Sequence, residues 1–244
     1  MNQSKKIALV SGSTQGIGLA IAKKLHEDGY LVIKNSRNPI DNPKVSDIDH
    51  MVADVSDNKE CADLINQIES KYGRLDVLVS NVGSGKAANP DLSSEDYWKH
   101  YLSINFNAAS FLIEAAQELL LQSQGNVVAI SSICADNPRI NAPIGYSTAK
   151  AALEMYIQNM AVKNGPQGVR FNVVSPGNVY FEGSVWDRKM QESKEEIEGY
   201  IRDFVPLGKF ISPEDISEAV SFLVSDRAKN VTGMVLKVDG GQSL

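Results

Sequence analysis

Short apolar runs alternate with longer amphipathic stretches along all 244 residues, and this alternation constrains the fold more than any other feature. Runs rich in Val, Ile and Leu are typical of strands buried on both faces, as in parallel sheets. The intervening stretches are long enough for helices with one apolar face. Repeated strand–helix units predict an α/β protein with a doubly wound, seven-stranded parallel sheet and helices on both faces.

The predicted strands are Ile7–Val10, Leu31–Ile33, His50–Ala53, Val77–Val79, Val127–Ile130, Val169–Val174 and Val235–Val238. The predicted helices are Ile17–Asp28, Lys59–Lys71, Glu95–Leu121, Tyr146–Asn164 and Pro213–Ser225, the last with Ser212 as N-cap. The segment Arg37–Asp54 contains prolines and is predicted to connect the second and third strands mainly as a loop. No repeat or linker interrupts the pattern, so residues 1–244 are predicted to form one domain.

Composition excludes several classes of function. Lys and Arg number 24 against 30 for Asp and Glu, giving a net charge of -6, which disfavours nucleic-acid binding. No apolar run approaches the roughly 20 residues of a membrane span, so we expect a cytoplasmic protein without membrane contact. Cys61 and Cys134 are far apart and form no metal-ligand spacing with the three histidines, so no metal site is predicted.

A glycine-rich turn directly follows the first predicted strand. The sequence Ser11–Gly18 spaces its glycines as G-x3-G-x-G, and a helix begins at the end of the motif. Glycines let the backbone turn sharply and approach a pyrophosphate, whose charge is favoured by the N-terminus of the helix. The motif predicts a dinucleotide site, although a glycine-rich turn without a ligand remains an alternative when the motif is taken alone.

Tyr146 and Lys150 lie four residues apart, on one face at the start of a predicted helix. A lysine ammonium beside a phenol favours the phenolate and is expected to lower the pKa of Tyr146, which suits proton transfer to a substrate oxygen. An isolated pair of this kind is common by chance, so its meaning depends on the motifs that accompany it.

Together these motifs resemble the short-chain dehydrogenase/reductase family over essentially the whole chain. Further resemblances lie at Asp54-Val55, Ser80-Asn81-Val82-Gly83, Asn105, Ser131-Ser132, Ser175-Pro176-Gly177, Val231-Thr232-Gly233 and Val238-Asp239-Gly240-Gly241. The family resemblance implies a Rossmann fold that binds NADP or NAD. The cofactor-binding residues it implies are Gly12, Ser13, Thr14, Gln15, Gly16, Ile17, Gly18, Ser36, Arg37, Asp54, Val55, Asn81, Val82, Gly83, Tyr146, Lys150, Pro176, Gly177 and Val179.

The resemblance also implies four catalytic residues. Tyr146 would be the general acid or base at the substrate oxygen, and Ser132 would hold that oxygen. Lys150 would lower the pKa of Tyr146 and bind the nicotinamide ribose, while Asn105 would fix a water that joins Lys150 to solvent.

Three departures from the family pattern bear on this assignment. Ser132 lies 14 residues before Tyr146, one more than the family spacing, so the intervening loop must bulge or Ser132 must shift. Val82 replaces a small alanine. Phe181 stands where the family often has a threonine that contacts the cofactor carboxamide, so we expect this contact to come from backbone, Val179 or another residue.

The end of the second strand predicts a preference for NADPH, with NAD as the alternative cofactor. A carboxylate there would accept the ribose hydroxyls of NAD and repel a 2′-phosphate, but Ser36 and Arg37 occupy the position. The guanidinium of Arg37 can bind a phosphate through several N–H donors, and the hydroxyls of Ser13 and Ser36 could donate further hydrogen bonds to it. Gln15 stands where many NADP-dependent relatives have a second basic residue, so the preference is expected to be moderate.

The segment of about residues 178–210 is the predicted substrate lid. Its aromatic residues either line an apolar or aromatic substrate pocket or pack the lid onto the body. We expect a small carbonyl or secondary-alcohol substrate, with two alternatives. A 3-oxoacyl-[acyl-carrier-protein] reductase is weakened because Lys163 is the only cation near the expected docking rims, and a catalytically silent dinucleotide-binding protein is disfavoured by the intact site residues.

A homotetramer is also expected from the resemblance. The predicted helices Glu95–Leu121 and Tyr146–Asn164 are expected to pack against their copies. Small and apolar residues of the first helix suit packing around a two-fold axis, with burial inside one chain as the alternative. The residues are Ala108, Ala109, Phe111, Leu112, Ala115 and Ala116.

Overall fold

A computed structural model of the protein describes residues 5–39, 48–139 and 142–244. Its strands are β1 (Ile7–Val10), β2 (Leu31–Ser36), β3 (Asp49–Val52), β4 (Val77–Ser80), β5 (Asn126–Ile130), β6 (Arg170–Pro176) and β7 (Val235–Val238). They form one sheet in the order β3-β2-β1-β4-β5-β6-β7, and every neighbouring pair is parallel. The predicted seven-stranded parallel sheet is confirmed, with strand ends shifted by a few residues.

The helices follow the strands in the expected alternation. They are α1 (Gly16–Glu27), α2 (Asn58–Tyr72), α3 (Ser94–Leu102), α4 (Ala108–Ser123), α5 (Ile144–Asn164), α6 (Val185–Glu192), α7 (Lys194–Phe204) and α8 (Pro213–Val224). Ser212 caps α8 as predicted, because its hydroxyl accepts from the backbone N–H of Asp215 at 3.2 Å.

Two apolar cores lie on opposite faces of the sheet, which confirms helices on both faces. Residues of α1 and α8 pack on one face, represented by Ile21 and Val220. Residues of α2, α4 and α5 pack on the other face, represented by Leu64, Leu112 and Ile157. Because the strands are parallel, their carboxyl ends meet at one edge, where α/β sheets bind ligands.

The prediction of one continuous α-helix over Glu95–Leu121 is wrong in one respect. The segment Ser103–Asn107, between α3 and α4, is a π-helix. A π-turn accommodates one more residue than an α-turn, so side-chain directions shift there, and such bulges are frequent at functional sites. Asn105 lies within this bulge and is 1% exposed.

Most of the small and apolar residues named on α4 are not available to a second copy. Ala108, Ala109, Leu112 and Ala116 are buried in the core of the chain itself, so for these four the expected packing is wrong. Phe111 and Ala115 are only partly buried, and for them it stays a prediction. Exposed apolar side chains do lie on α5, the second helix for which such packing was predicted, at Ile144, Met155 and Val162. The homotetramer itself stays a prediction.

The loop predicted over Arg37–Asp54 contains β3 near its end, and its residues 40–47 lie outside the described part of the chain. Of the helices in the described ranges, none has the length and apolar character needed to cross a membrane.

Candidate active site

The loop after β1 turns on two glycines in the left-handed region. Gly12 has φ +60° and Gly16 has φ +53°. Gly18 is needed for a close approach, because a Cβ there would lie 2.4 Å from the carbonyl oxygen of Gly12. The side chain of Gln15, at the N-cap of α1, makes no capping hydrogen bond within the described part of the chain. The first N–H groups of α1 can therefore bind a pyrophosphate.

Ser13 has a structural task, which corrects its assignment as a phosphate-binding residue. It is fully buried, its hydroxyl donates to the carbonyl of Val10 at 2.7 Å, and the same oxygen accepts from the backbone N–H of Asn35 at 3.1 Å. The turn at Gly12 directs this side chain inward, between β1 and β2. Its neighbours Thr14 and Gln15 line the cleft instead.

Asn81, directly after β4, ties the glycine loop to the sheet. Its side-chain amide donates to the carbonyls of Ser11 and Gly12, both at 3.1 Å, and its backbone N–H donates to the Ser11 hydroxyl at 3.0 Å. Val82 contacts the loop from the same turn, since its Cγ2 lies 3.0 Å from where a Cβ on Gly12 would sit. The larger Val82 therefore packs under the glycine loop.

Gly83 leaves room for two predicted catalytic side chains. A Cβ at this position would lie 2.7 Å from Nζ of Lys150 and 3.0 Å from Oδ1 of Asn105. The side chain of Asn105 donates to the carbonyls of Ser84 and Tyr101 and accepts from the N–H of Ser84 at 2.8 Å. One lone pair of its oxygen stays available for a water, while the rest of the amide holds the backbone of the cleft.

Ser132 and Tyr146 meet at the end of β5. Ser132 caps a short 3₁₀ turn, Ile133–Ala135, by accepting from the N–H of Cys134 at 3.2 Å, and it lines the same cavity as Tyr146, close enough to lower the pKa of the phenol. Ser132 thus reaches Tyr146 despite the longer spacing between them. Residues 140–141 of the intervening loop lie outside the described residues.

Burial, and not the lysine charge, dominates the pKa of Tyr146. Burial raises this pKa to about 12, while the hydrogen bond with Ser132 acts in the opposite direction. Lys150 is 3% exposed, and burial lowers its pKa to about 8, opposed by the charge of Glu154. Its Nζ donates to the carbonyl of Ile130 at 2.8 Å. The expected lowering of the Tyr146 pKa by Lys150 is therefore wrong in this structure.

Ser36 and Arg37 stand at the end of β2, as predicted, and both line the cleft together with Asp54 and Val55. The Ser36 hydroxyl, however, donates to the carbonyl of Asn38 at 2.6 Å. Its single hydrogen is therefore occupied, which corrects the expectation that Ser36 donates to a phosphate. Arg37 is exposed, and no described residue forms a hydrogen bond or ion pair with its guanidinium.

The cavity that contains Tyr146 is also lined by Pro176, at the end of β6, and by Gly177 and Val179, which follow it. Phe181 lines the same cavity, and its ring lies against the glycine loop: Cζ is 2.6 Å from the position of a Cβ on Gly16. An aromatic ring thus covers the start of α1 where the family pattern has a threonine.

The predicted lid segment contains α6 and α7, and its aromatic residues divide between the two predicted roles. Phe181 and Trp186 line the cleft. Tyr200 stacks on Trp186 at 5.5 Å between ring centroids, and Phe210 packs on Trp186 at 4.7 Å. Tyr200 is also anchored to the body, because its hydroxyl accepts from the side-chain amide of Gln242 at 2.8 Å.

Two adjoining cavities run along the carboxyl edge of the sheet. One, of about 390 Å³, contains Ser132, Tyr146 and Lys150, and the other, of about 690 Å³, contains Arg37 and Asp54. The residues common to both are Gly12, Gln15, Asn81, Gly83 and Ser84. The cleft therefore passes over the glycine loop and fits an extended dinucleotide with its pyrophosphate at the N-terminus of α1.

Sequence reasoning missed several residues that line this cleft. Ser84 and Gly85 follow the Asn81 turn, and a Cβ on Gly85 would lie 3.4 Å from the Tyr146 ring. Their position after a motif was the only signal. Ser184 and Val185 lie at the start of α6. No sequence motif predicted that these two residues would face the cleft, because the start of this helix was not predicted.

Comparison with known proteins agrees with this geometry. The family model described as enoyl-(acyl carrier protein) reductase matches residues 12–243. Glucose 1-dehydrogenase 2 of Bacillus subtilis is 31% identical, over 98% of this chain and 95% of its own length. The 3-oxoacyl-[acyl-carrier-protein] reductase FabG of Rickettsia bellii is also 31% identical, over 98% and 97%. The structure of Thermoplasma acidophilum aldohexose dehydrogenase superposes with a TM-score of 0.86 at 28% identity, over 98% and 93%.

The fold and the cleft define an oxidoreductase of the Rossmann type that uses a nicotinamide dinucleotide. The chain belongs to the short-chain dehydrogenase/reductase family, as its motifs predict.

Proposed function

We propose that the protein transfers a hydride between NADPH and a carbonyl or secondary-alcohol group of a small, neutral substrate. One observation carries the proposal. One part of the cleft contains Tyr146, Ser132 and Lys150, and the other part contains Arg37. The segment Lys34–Pro39, which leads from β2 into that second part, contains no carboxylate.

The bound nicotinamide would supply or accept the hydride. The protein would position the substrate and move the proton. In reduction, Tyr146 donates its phenolic proton to the substrate oxygen, and the raised pKa keeps that proton in place at neutral pH. Ser132 lines the same cavity as Tyr146 and would hold the substrate oxygen beside it. Lys150 would place a positive charge beneath the site and bind the ribose hydroxyls of the cofactor.

The preference for NADPH rests on Arg37. Its guanidinium lines the cleft, is exposed, and has no partner among the described residues, so it is available to a 2′-phosphate. Ser36 supports this role by holding the turn, because its hydroxyl bonds to the Asn38 carbonyl. Gln15 adds no second charge, which keeps the preference moderate.

A neutral substrate is favoured by the walls around Tyr146. Among the described residues, no carboxylate lines that cavity, and Lys150 is the only one that brings an ammonium group to it. Phe181, Val185 and Trp186 supply apolar and aromatic surface on the lid side. These walls suit a ketone or aldehyde with an apolar or aromatic body.

The test is turnover followed by nicotinamide absorbance, with NADPH and NADH, against a panel of ketones and aldehydes, and in reverse with secondary alcohols. We expect kcat/KM to be higher with NADPH and to fall in the double variant Ser36→Asp/Arg37→Ala. The cofactor assignment would be contradicted if the wild-type kcat/KM were lower with NADPH than with NADH, or if kcat/KM with NADPH did not fall in the double variant. Absence of turnover on every free carbonyl and alcohol would contradict the substrate class.

A second candidate is a 3-oxoacyl-[acyl-carrier-protein] reductase, which the description of the matching family model and the FabG relative favour. Such an enzyme must dock an acidic carrier, for which basic surface near the cleft is needed. The panel therefore includes a 3-oxoacyl thioester, free and carrier-bound. Activity on the carrier-bound thioester alone would select this candidate.

A further inference from the structure

A chain of hydrogen bonds crosses from the edge strand to the turn that carries Arg37. Nε2 of His50, on β3, lies 2.8 Å from the hydroxyl oxygen of Ser36, at the end of β2. The same oxygen lies 2.6 Å from the carbonyl oxygen of Asn38. Arg37 is therefore flanked on both sides by residues that this chain of bonds holds.

The number of hydrogens determines the direction of both bonds. A carbonyl oxygen only accepts, so the single hydroxyl hydrogen of Ser36 points to Asn38. Nε2 of His50 must then donate to Ser36, which requires the tautomer that carries hydrogen on Nε2. Burial, followed by the Lys34 ammonium, lowers the pKa of His50, with Asp49 acting in the opposite direction. A neutral imidazole at pH 7 can supply this donor.

The position of His50 argues against a role in the apolar core. It is partly exposed on the edge strand, whereas the adjacent Met51 is buried in the core with α2. Val52, two residues along the same strand and therefore on the same face as His50, is 45% exposed and lies in neither apolar core. Loss of the imidazole would thus affect the Ser36 turn more than the packing of the sheet.

We propose that His50 is a positioning residue for cofactor selection: by donating to Ser36 it fixes the turn from Ser36 to Asn38 and directs Arg37 toward the 2′-phosphate of NADPH. The inference rests on the proposed function, because it assigns how that function's cofactor preference is held. It predicts that His50 affects NADPH binding far more than NADH binding, since the 2′-phosphate is the group that Arg37 would contact.

The experiment measures dissociation constants of NADPH and NADH by nicotinamide fluorescence, without substrate, in the wild type, His50→Ala, His50→Gln and Val52→Ala. A lost hydrogen bond of this kind corresponds to about fivefold in affinity. We expect the ratio of the NADH constant to the NADPH constant to fall about fivefold in His50→Ala. His50→Gln retains a side-chain N–H donor and should stay within about twofold of wild type, as should the control Val52→Ala.

Three results would overturn the inference: an unchanged ratio in His50→Ala, an equal loss of affinity for both dinucleotides, or a His50→Gln variant that matches His50→Ala. A wild-type preference for NADH would instead contradict the proposed function. The two failures are distinct, because the inference is measured by the change in the ratio on substitution and the proposed function by the wild-type ratio itself.

Discussion

Lys150 is expected to destabilise the folded protein at neutral pH, so that Lys150→Met lowers activity and raises stability relative to the wild type at that pH. The side chain is 3% exposed, and burial lowers its pKa from the ordinary value of 10.5 to about 8. A buried ammonium loses its hydration, and a methionine of similar length does not have this cost.

The sign and size follow from proton linkage. The folded pKa lies below the unfolded one, so the unfolded chain binds more protons between about pH 8 and 10.5, and wild-type stability rises with pH through that window. Below pH 8 the full penalty is present, at about 1.4 kcal/mol for each pH unit between the two pKa values, or about 3 kcal/mol. Between pH 7 and pH 10, the wild type should therefore gain about 2 to 3 kcal/mol relative to Lys150→Met.

Urea unfolding followed by far-UV circular dichroism at pH 7, 8, 9 and 10, at one protein concentration, gives the free energy of unfolding of both proteins. Comparing the two cancels the titration of all other groups and any constant loss from the Ile130 hydrogen bond. The control is Lys163→Met, an exposed lysine on the same helix, whose ammonium is hydrated in the folded and unfolded chain. A difference between wild type and Lys150→Met that stays constant from pH 7 to 10 would refute the reasoning.

Three further predictions concern binding and catalysis. Tyr146→Phe should lower kcat by about 10²- to 10⁴-fold, because it removes one transferable proton, and should leave the NADPH dissociation constant within about twofold of the wild-type value. A variant that keeps more than a tenth of wild-type kcat would contradict this. For carbonyl reduction, kcat/KM should be level to about pH 7 and decline above about pH 8, as Lys150 loses its proton while Tyr146 keeps its own; a profile level to pH 10 would show that the ammonium is not required. Gly16→Ala should weaken NADPH binding at least tenfold, because Gly16 has a positive φ and a Cβ there would meet the Phe181 ring. The double variant Gly16→Ala/Phe181→Ala should regain part of the affinity, as measured by fluorescence titration. An equal loss in the single and double variants would contradict the contact.

The order of strands and helices could be predicted because each depends on local pattern. The run Val77–Ser80, for example, is apolar over most of its length because both faces of a central parallel strand are buried. The cap at Ser212 likewise depends on residues adjacent in sequence. The π-turn around Asn105 could not be predicted, since one extra residue in a turn leaves the composition and the spacing of apolar residues nearly unchanged.

Within the site, the motifs predicted which residues gather but not which way each side chain turns. The glycine loop was located correctly, yet Ser13 points into the sheet and Thr14 into the cleft, a difference set by the backbone turn at Gly12. The same holds for Ser36, whose residue type suggested a donor to phosphate. Its hydrogen is engaged by a carbonyl two residues on, a contact that depends on the turn geometry.

The protonation states of Tyr146 and Lys150 differ most from what the sequence predicts, and they affect how reduction and oxidation depend on pH. The spacing of Tyr146 and Lys150 suggested that an ammonium would make the phenol more acidic. Burial acts on both groups and in opposite directions: it raises the pKa of the phenol and lowers that of the amine, because loss of hydration disfavours the charged state of each. At pH 7 the phenol therefore holds its proton and the amine is still charged, which is the state needed to protonate a carbonyl oxygen. Oxidation of an alcohol would need the phenolate, and hence a ligand that lowers the pKa of Tyr146 from about 12. We therefore expect the rate of oxidation to rise steeply with pH, whereas the rate of reduction does not.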